Sequence, residues 1–189
     1  MSISIIILKP IEEFDYADVL RSVQEASRRA GMHCIHVNTC FDEWGEFVTL
    51  EGTLSEVDAE TLQSNFERGN KNRTCGFNIE RPEDTSYGSF AWLMHRENYF
   101  WALDLQYLGG DFGFAFQFLS QYFNLEENSR DYLWIDDTDW VYSADDMLWL
   151  SQQPYNPEWS YKKLTRKYLT IEPITGTLIC DSNERGHSP

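Results

Sequence analysis

The sequence predicts an α+β fold: antiparallel sheet strands with helices packed on one face of them. Three observations lead there. Short alternating or continuous apolar segments recur between stretches of helical spacing. Gly31, Gly69 and Pro82 stand where one period gives way to another. Apolar residues are 42% of the chain, with seven Trp, ten Tyr and twelve Phe, enough to build a substantial core.

Ser2–Leu8 alternates and then runs apolar, which fits an inner strand that Pro10 ends. Asp15 is the N-cap of a helix carrying Tyr16, Leu20, Val23, Ser27 and Ala30, with Gly31 as its stop. His33–Asn38 and Glu46–Leu54 alternate and form a strand pair. Ser55 and Asp58 both offer caps to a helix bearing Leu62 and Phe66, which Gly69 closes, and Thr74–Glu80 is a further strand. The order βαββαβ over residues 1–82 suggests the ferredoxin-like split arrangement, with Val23 and Leu62 packed on the sheet.

Residues 83–189 form an aromatic-rich, acidic α+β half that packs with the first as one unit. Tyr87–Arg96 and Tyr99–Tyr107 predict two strands joined at Glu97-Asn98. After them, Phe112, Phe114, Phe116 and Phe118 alternate as a strand would. Yet Gln117, Ser120, Gln121 and Asn124 make a polar stripe opposite Phe112, Ala115, Phe116, Leu119, Tyr122 and Phe123, so this is a helix capped by Asp111. Asp131–Tyr142 is expected as one strand broken by acids. Ser143 and Asp146 form a capping box for a short helix through Gln153. Lys167–Glu172 and Thr175–Cys180 suggest a closing hairpin, and Asn183–Pro189 a frayed end.

Charge narrows the function. The net is −16, and its distribution is uneven: residues 1–40 carry −1, residues 41–150 carry −16 and residues 151–189 carry +1. Such a field repels nucleic acid and anionic membranes and attracts a basic partner or a cation. No stretch approaches the roughly 18 apolar residues of a membrane span. The absence of an export signal at the N-terminus, with four irregularly spaced cysteines, suggests reduced thiols in the cytoplasm.

No motif points to catalysis. His33, Cys34, His36 and Cys40 lack the paired spacing of a zinc site, so no metal and no cofactor is expected. Cys34 or Cys75 with His95 would need an activating turn that neither cysteine has. Asp111-Phe112-Gly113 lacks every other part of a kinase. Asp136-Asp137-Thr138-Asp139 lacks the Gly and Glu that a calcium loop places at its sixth and twelfth positions.

The segment Tyr132–Trp159 interleaves acids with large aromatics. Trp134, Asp136, Asp137, Asp139, Trp140, Asp145, Asp146 and Trp149 are the residues expected to meet a partner. Trp anchors interfaces, and carboxylates beside it accelerate encounter with a basic protein. In size, acidity and composition the whole chain resembles the immunity proteins that bacteria make against their own secreted toxins. That resemblance implies an acidic protein-binding module that inhibits a basic toxin by stoichiometric binding. It rests on no motif and assigns no residue. The alternatives are an enzyme built from scattered Asp, His and Tyr, or a structural adaptor whose acidity serves solubility.

Overall fold

The apolar run Ile5–Leu8 becomes the centre of the molecule. The computed structural model describes residues 4–81, 99–106, 111–135, 138 and 141–160. In chain order these form β1 (Ile5–Pro10), α1 (Tyr16–Arg29), β2 (His33–Phe41), β3 (Phe47–Ser55), α2 (Ala59–Glu67), β4 (Thr74–Glu80) and β5 (Tyr99–Gln106). There follow α3 (Phe112–Tyr122), β6 (Tyr132–Ile135), β7 (Val141–Ser143) and α4 (Ala144–Ser151). The fold class is α+β, as the sequence predicts. The expected strands at Tyr87–Arg96, Lys167–Glu172 and Thr175–Cys180, and the frayed end, lie outside the described residues.

The seven strands of the described residues join one antiparallel sheet in the order β2-β3-β4-β5-β1-β6-β7. The element order βαββαβ holds over the first eighty residues, but the ferredoxin-like pairing does not. A split arrangement would set β1 between β3 and β4. Here β3 pairs with β4 directly, and β1 lies between β5 and β6. The reason is in β1 itself. Its six residues are all buried, so it needs neighbours on both edges and cover on both faces. Strands from beyond residue 82 supply the edges.

Alternation divides β1 between two clusters. Ile5 and Ile7 join the main core with Val19, Val23 and Ala26 of α1, Phe114, Ala115, Phe118, Leu119 and Tyr122 of α3, and Met147 of α4. Ile6 and Leu8 pack on the opposite face with Tyr99, Trp134 and Val141. Helices therefore cover one face of the sheet, with an exception. Helix α2 buries no residue, and its Phe66 is 77% exposed, so Leu62 does not anchor a second covering helix.

The caps are those expected. Asp15 accepts from Ala17 N and Asp18 N at 2.8 and 3.2 Å. Asp58 accepts from Thr61 N at 2.8 Å and Asp111 from Phe114 N at 3.0 Å. Ser143 and Asp146 form the reciprocal capping box. By contrast, Asp131–Tyr142 is not one strand. It folds back on itself as the β6–β7 hairpin, with Leu133 opposite Tyr142 and Trp134 opposite Val141. One strand of that length would have exposed Leu133, Ile135 and Val141 along one face together with acids. Folding back buries all three.

Candidate functional site

Where β1 ends, the chain turns through Ile11–Glu13 into α1, and the segment 126–130 crosses the same end of the sheet. Between them opens a cleft of about 580 Å³. Its ionisable lining comprises six carboxylates (Glu12, Glu13, Asp15, Asp18, Glu126 and Glu127) against two cations, Lys9 and Arg130, a net of −4.

Several of these charges are already engaged. Arg130 spans Glu12 and Glu13, holding the latter in a short charge-assisted contact. Asp18 pairs with Arg21 at 2.7 Å, and Asp15 caps α1. Lys9 turns inward, 2.9 and 3.0 Å from the two oxygens of Asp131, and Tyr122 donates its hydroxyl to the same carboxylate at 3.0 Å. Burial pushes the Asp131 carboxyl up to about 6 in spite of the ammonium beside it. Burial also raises the Tyr122 phenol, and the Asp131 charge adds to the rise. Both Asp131 oxygens accept hydrogen bonds and the side chain is sealed from solvent, so the group supports the fold. Glu126 and Glu127 have no side-chain partner among the described residues, and they give the cleft its unspent charge.

Next to the cleft lies a second hollow of about 260 Å³, which shares Phe14 and Asp15 and adds Tyr16, Glu46, Phe47 and Arg81. Tyr16 stacks on Phe47 with centroids 4.3 Å apart, and Phe14 meets Phe100 edge-on at 4.9 Å. Beside them the β2–β3 hairpin projects. Asp42 accepts from Trp44 N and Glu46 N, each at 2.9 Å, and Gly45 takes the left-handed turn conformation, φ 80°. This tip holds Trp44 out, 80% exposed. Arg81 reaches Glu46 at 2.6 Å and lies 3.7 Å from Asp42. One end of the molecule thus sets carboxylates beside an exposed tryptophan, the chemistry anticipated for Tyr132–Trp159 but in another place.

Of the residues singled out in that segment, Asp136, Asp137, Asp139 and Trp140 lie outside the described residues. Trp134 is 8% exposed and donates its indole N–H to Thr138 O at 3.1 Å. Asp146 is buried and its carboxylate accepts from Ser143 N, so the capping box engages it. Asp145 is exposed on the first turn of α4, and Trp149 is half-buried against the main core. The structure does not bring Trp134, Asp145, Asp146 and Trp149 together as one surface: two of the four are buried in different parts of the fold.

Charge summed along the chain hides the acidic cleft. Residues 1–40 total only −1, but Glu12, Glu13, Asp15 and Asp18 cluster at one end of α1 while Arg28 and Arg29 lie in its last turn. Four acids within seven residues at a helix start were the available signal.

Among the described residues no group of three or more His, Cys, Asp or Glu side chains is placed to hold a metal ion. In β2, His36 adopts φ 54° at a bulge between Ile35 and Asn38, which breaks the alternation that would put Cys34 and His36 on one face. Burial pushes the Cys34 thiol up to about 11 and the Cys75 thiol to about 12, so neither is a thiolate near neutral pH. Among the described residues no helix is long and apolar enough to cross a membrane. No family model, curated protein or solved structure matches the chain.

Proposed function

We propose that this chain is an acidic protein-binding module that neutralises a basic protein in a one-to-one complex, as bacterial immunity proteins neutralise toxins. The observation that carries the reading is the cleft at the sheet end, net −4 in its lining, next to an aromatic hollow and to the protruding Trp44. Carboxylates in a concave wall steer a basic protein toward it, and an exposed indole supplies the apolar anchor that charge alone lacks. The proposed setting is the bacterial cytoplasm, with no nucleic acid or membrane contact of its own. Asp136, Asp137, Asp139, Trp140 and Asp145 form a second acidic stretch that would face the same partner.

The test is association kinetics with a basic protein encoded beside this gene, in low and moderate salt. Reversing Glu126 and Glu127 to Lys should slow association, and the effect should shrink as salt screens the field. Reversing Asp136, Asp137 and Asp139 to Lys measures the second stretch in the same assay. Wild-type association rates in low salt for both variants would sink the reading.

A further inference from the structure

Three side chains lining the cleft are buried: Lys9, Ser22 and Asn128. Asn128 is fully buried. Its Nδ2 donates to Tyr122 O at 3.0 Å, while its Oδ1 accepts nothing among the described residues. A buried amide oxygen without a donor is a costly arrangement and native folds rarely tolerate it. Asn128 lines the cleft, and two unengaged carboxylates of the same cleft, Glu126 and Glu127, precede it directly in the chain. An unsatisfied acceptor beside unspent negative charge is complementary to a cation that carries several N–H donors.

We infer that the cleft receives one arginine side chain of the basic partner, with Glu126 and Glu127 supplying the countercharge and Asn128 Oδ1 the buried acceptor. The inference rests on the reading above for the source of that arginine. Guanidinium suits the site better than ammonium. It presents five N–H donors in a planar fork, is less strongly hydrated, and can serve two carboxylates and an amide oxygen at once. The cleft already holds one such group, since Arg130 bridges Glu12 and Glu13 along the same wall. Lys9 does not oppose a second cation strongly, because both oxygens of Asp131 are bound to its ammonium. The volume of about 580 Å³ lies within the roughly 300–1,000 Å³ of pockets that take small ligands, room for a side chain and its flanking backbone.

The experiment is a nuclear magnetic resonance titration of the ¹⁵N-labelled full chain with acetyl-Gly-Arg-Gly-amide, against matched peptides carrying citrulline or lysine. The arginine peptide should shift the backbone amides of 126–130 and the side-chain amide of Asn128. The neutral citrulline peptide should leave them in place, and the lysine peptide should bind more weakly. The variant Glu126→Gln/Glu127→Gln should weaken arginine-peptide binding about fivefold, as the loss of two exposed charges would. Reading the Asn128 side-chain amide in the wild-type chain avoids a substitution at a fully buried position. The inference is overturned if the cleft amides do not respond, if citrulline binds as well as arginine, or if the double variant binds unchanged. These readouts need no partner protein. A cleft that takes the peptide while no basic protein is neutralised sinks the inhibitor reading alone; a partner neutralised through a cleft blind to arginine sinks this inference alone.

Discussion

Lys9 and Asp131, 122 residues apart in sequence, meet as an ion pair in which the lysine is 5% and the aspartate 1% exposed. Removing one member leaves the other buried without its counter-charge. Lys9→Met should therefore cost about 3–5 kcal/mol in urea denaturation. Lys9→Met/Asp131→Leu should recover much of that loss, although the Tyr122 hydroxyl then loses its acceptor. Adding Tyr122→Phe should recover more. A single variant within about 1 kcal/mol of wild type would show that the pair is hydrated in solution.

The same carboxylate sets a pH dependence of unusual sign. Its folded value of about 6 lies above the ordinary range near 4, so the folded state binds the proton more tightly than the unfolded state. The stability contributed by protonated Asp131 is complete below about 4 and is lost as pH rises through 6, by on the order of 3 kcal/mol. Other acids act in the opposite sense: hydrogen bonds from Thr61 lower the Asp58 value, and Arg73 lowers that of Asp111. The isolating measurement is the stability difference between wild type and Asp131→Asn. It should move against wild type between pH 4 and 7, and a flat difference would contradict the shift.

Gly52 lies opposite Phe77 across β3 and β4, and the ring folds over it. A Cβ at this position would stand 2.3 Å from the ring's Cζ, inside any real contact, and Phe77 is itself fully buried. Gly52→Ala should cost about 1–3 kcal/mol through overpacking. Shortening the obstacle in Gly52→Ala/Phe77→Leu should make the alanine cheaper than it is alone, a coupling that a double-mutant cycle would measure.

The capping box at α4 provides a local test. Ser143 Oγ accepts from Asp146 N at 3.2 Å, and Asp146 returns the bond to Ser143 N at 3.1 Å. Ser143→Ala should lower stability by about 1 kcal/mol. Hydrogen exchange should quicken at the first turn of α4 before it does in β1, because fraying begins at the uncapped end.

Trp44 separates folding from recognition. At 80% exposure its removal should leave stability within about 0.5 kcal/mol of wild type. If it anchors the proposed complex, Trp44→Ala should speed dissociation while leaving association nearly unchanged. Circular dichroism and binding kinetics on one sample would check both.

What the sequence disclosed was local. Asp15, Asp58, Asp111 and Ser143 announce helices within four residues of themselves, and all four cap as expected. The φ of 70° at Gly31 and 73° at Gly69 likewise follows from one residue's freedom at a helix end. Strand order was hidden, because nothing in Ile5–Leu8 says which distant segments will flank it. The β6–β7 hairpin was hidden too, since Leu133 and Tyr142 become neighbours only after the chain reverses. The cleft was obscured for the same reason: Glu126 and Glu12 line it together yet lie more than a hundred residues apart.

The placement of β1 also bears on how the chain is made. Ile5 takes Leu105 on one side and Ile135 on the other, so β1 is synthesised long before either of its neighbours. At roughly 5–20 residues per second, a ribosome would leave that strand waiting for several seconds to about half a minute. Four consecutive aliphatic side chains would stand unshielded through this interval, a natural target for chaperones that greet nascent chains. Slow translation between codons 10 and 130 should therefore lower the yield of native protein more than a pause well beyond codon 135, once both neighbours have left the ribosome.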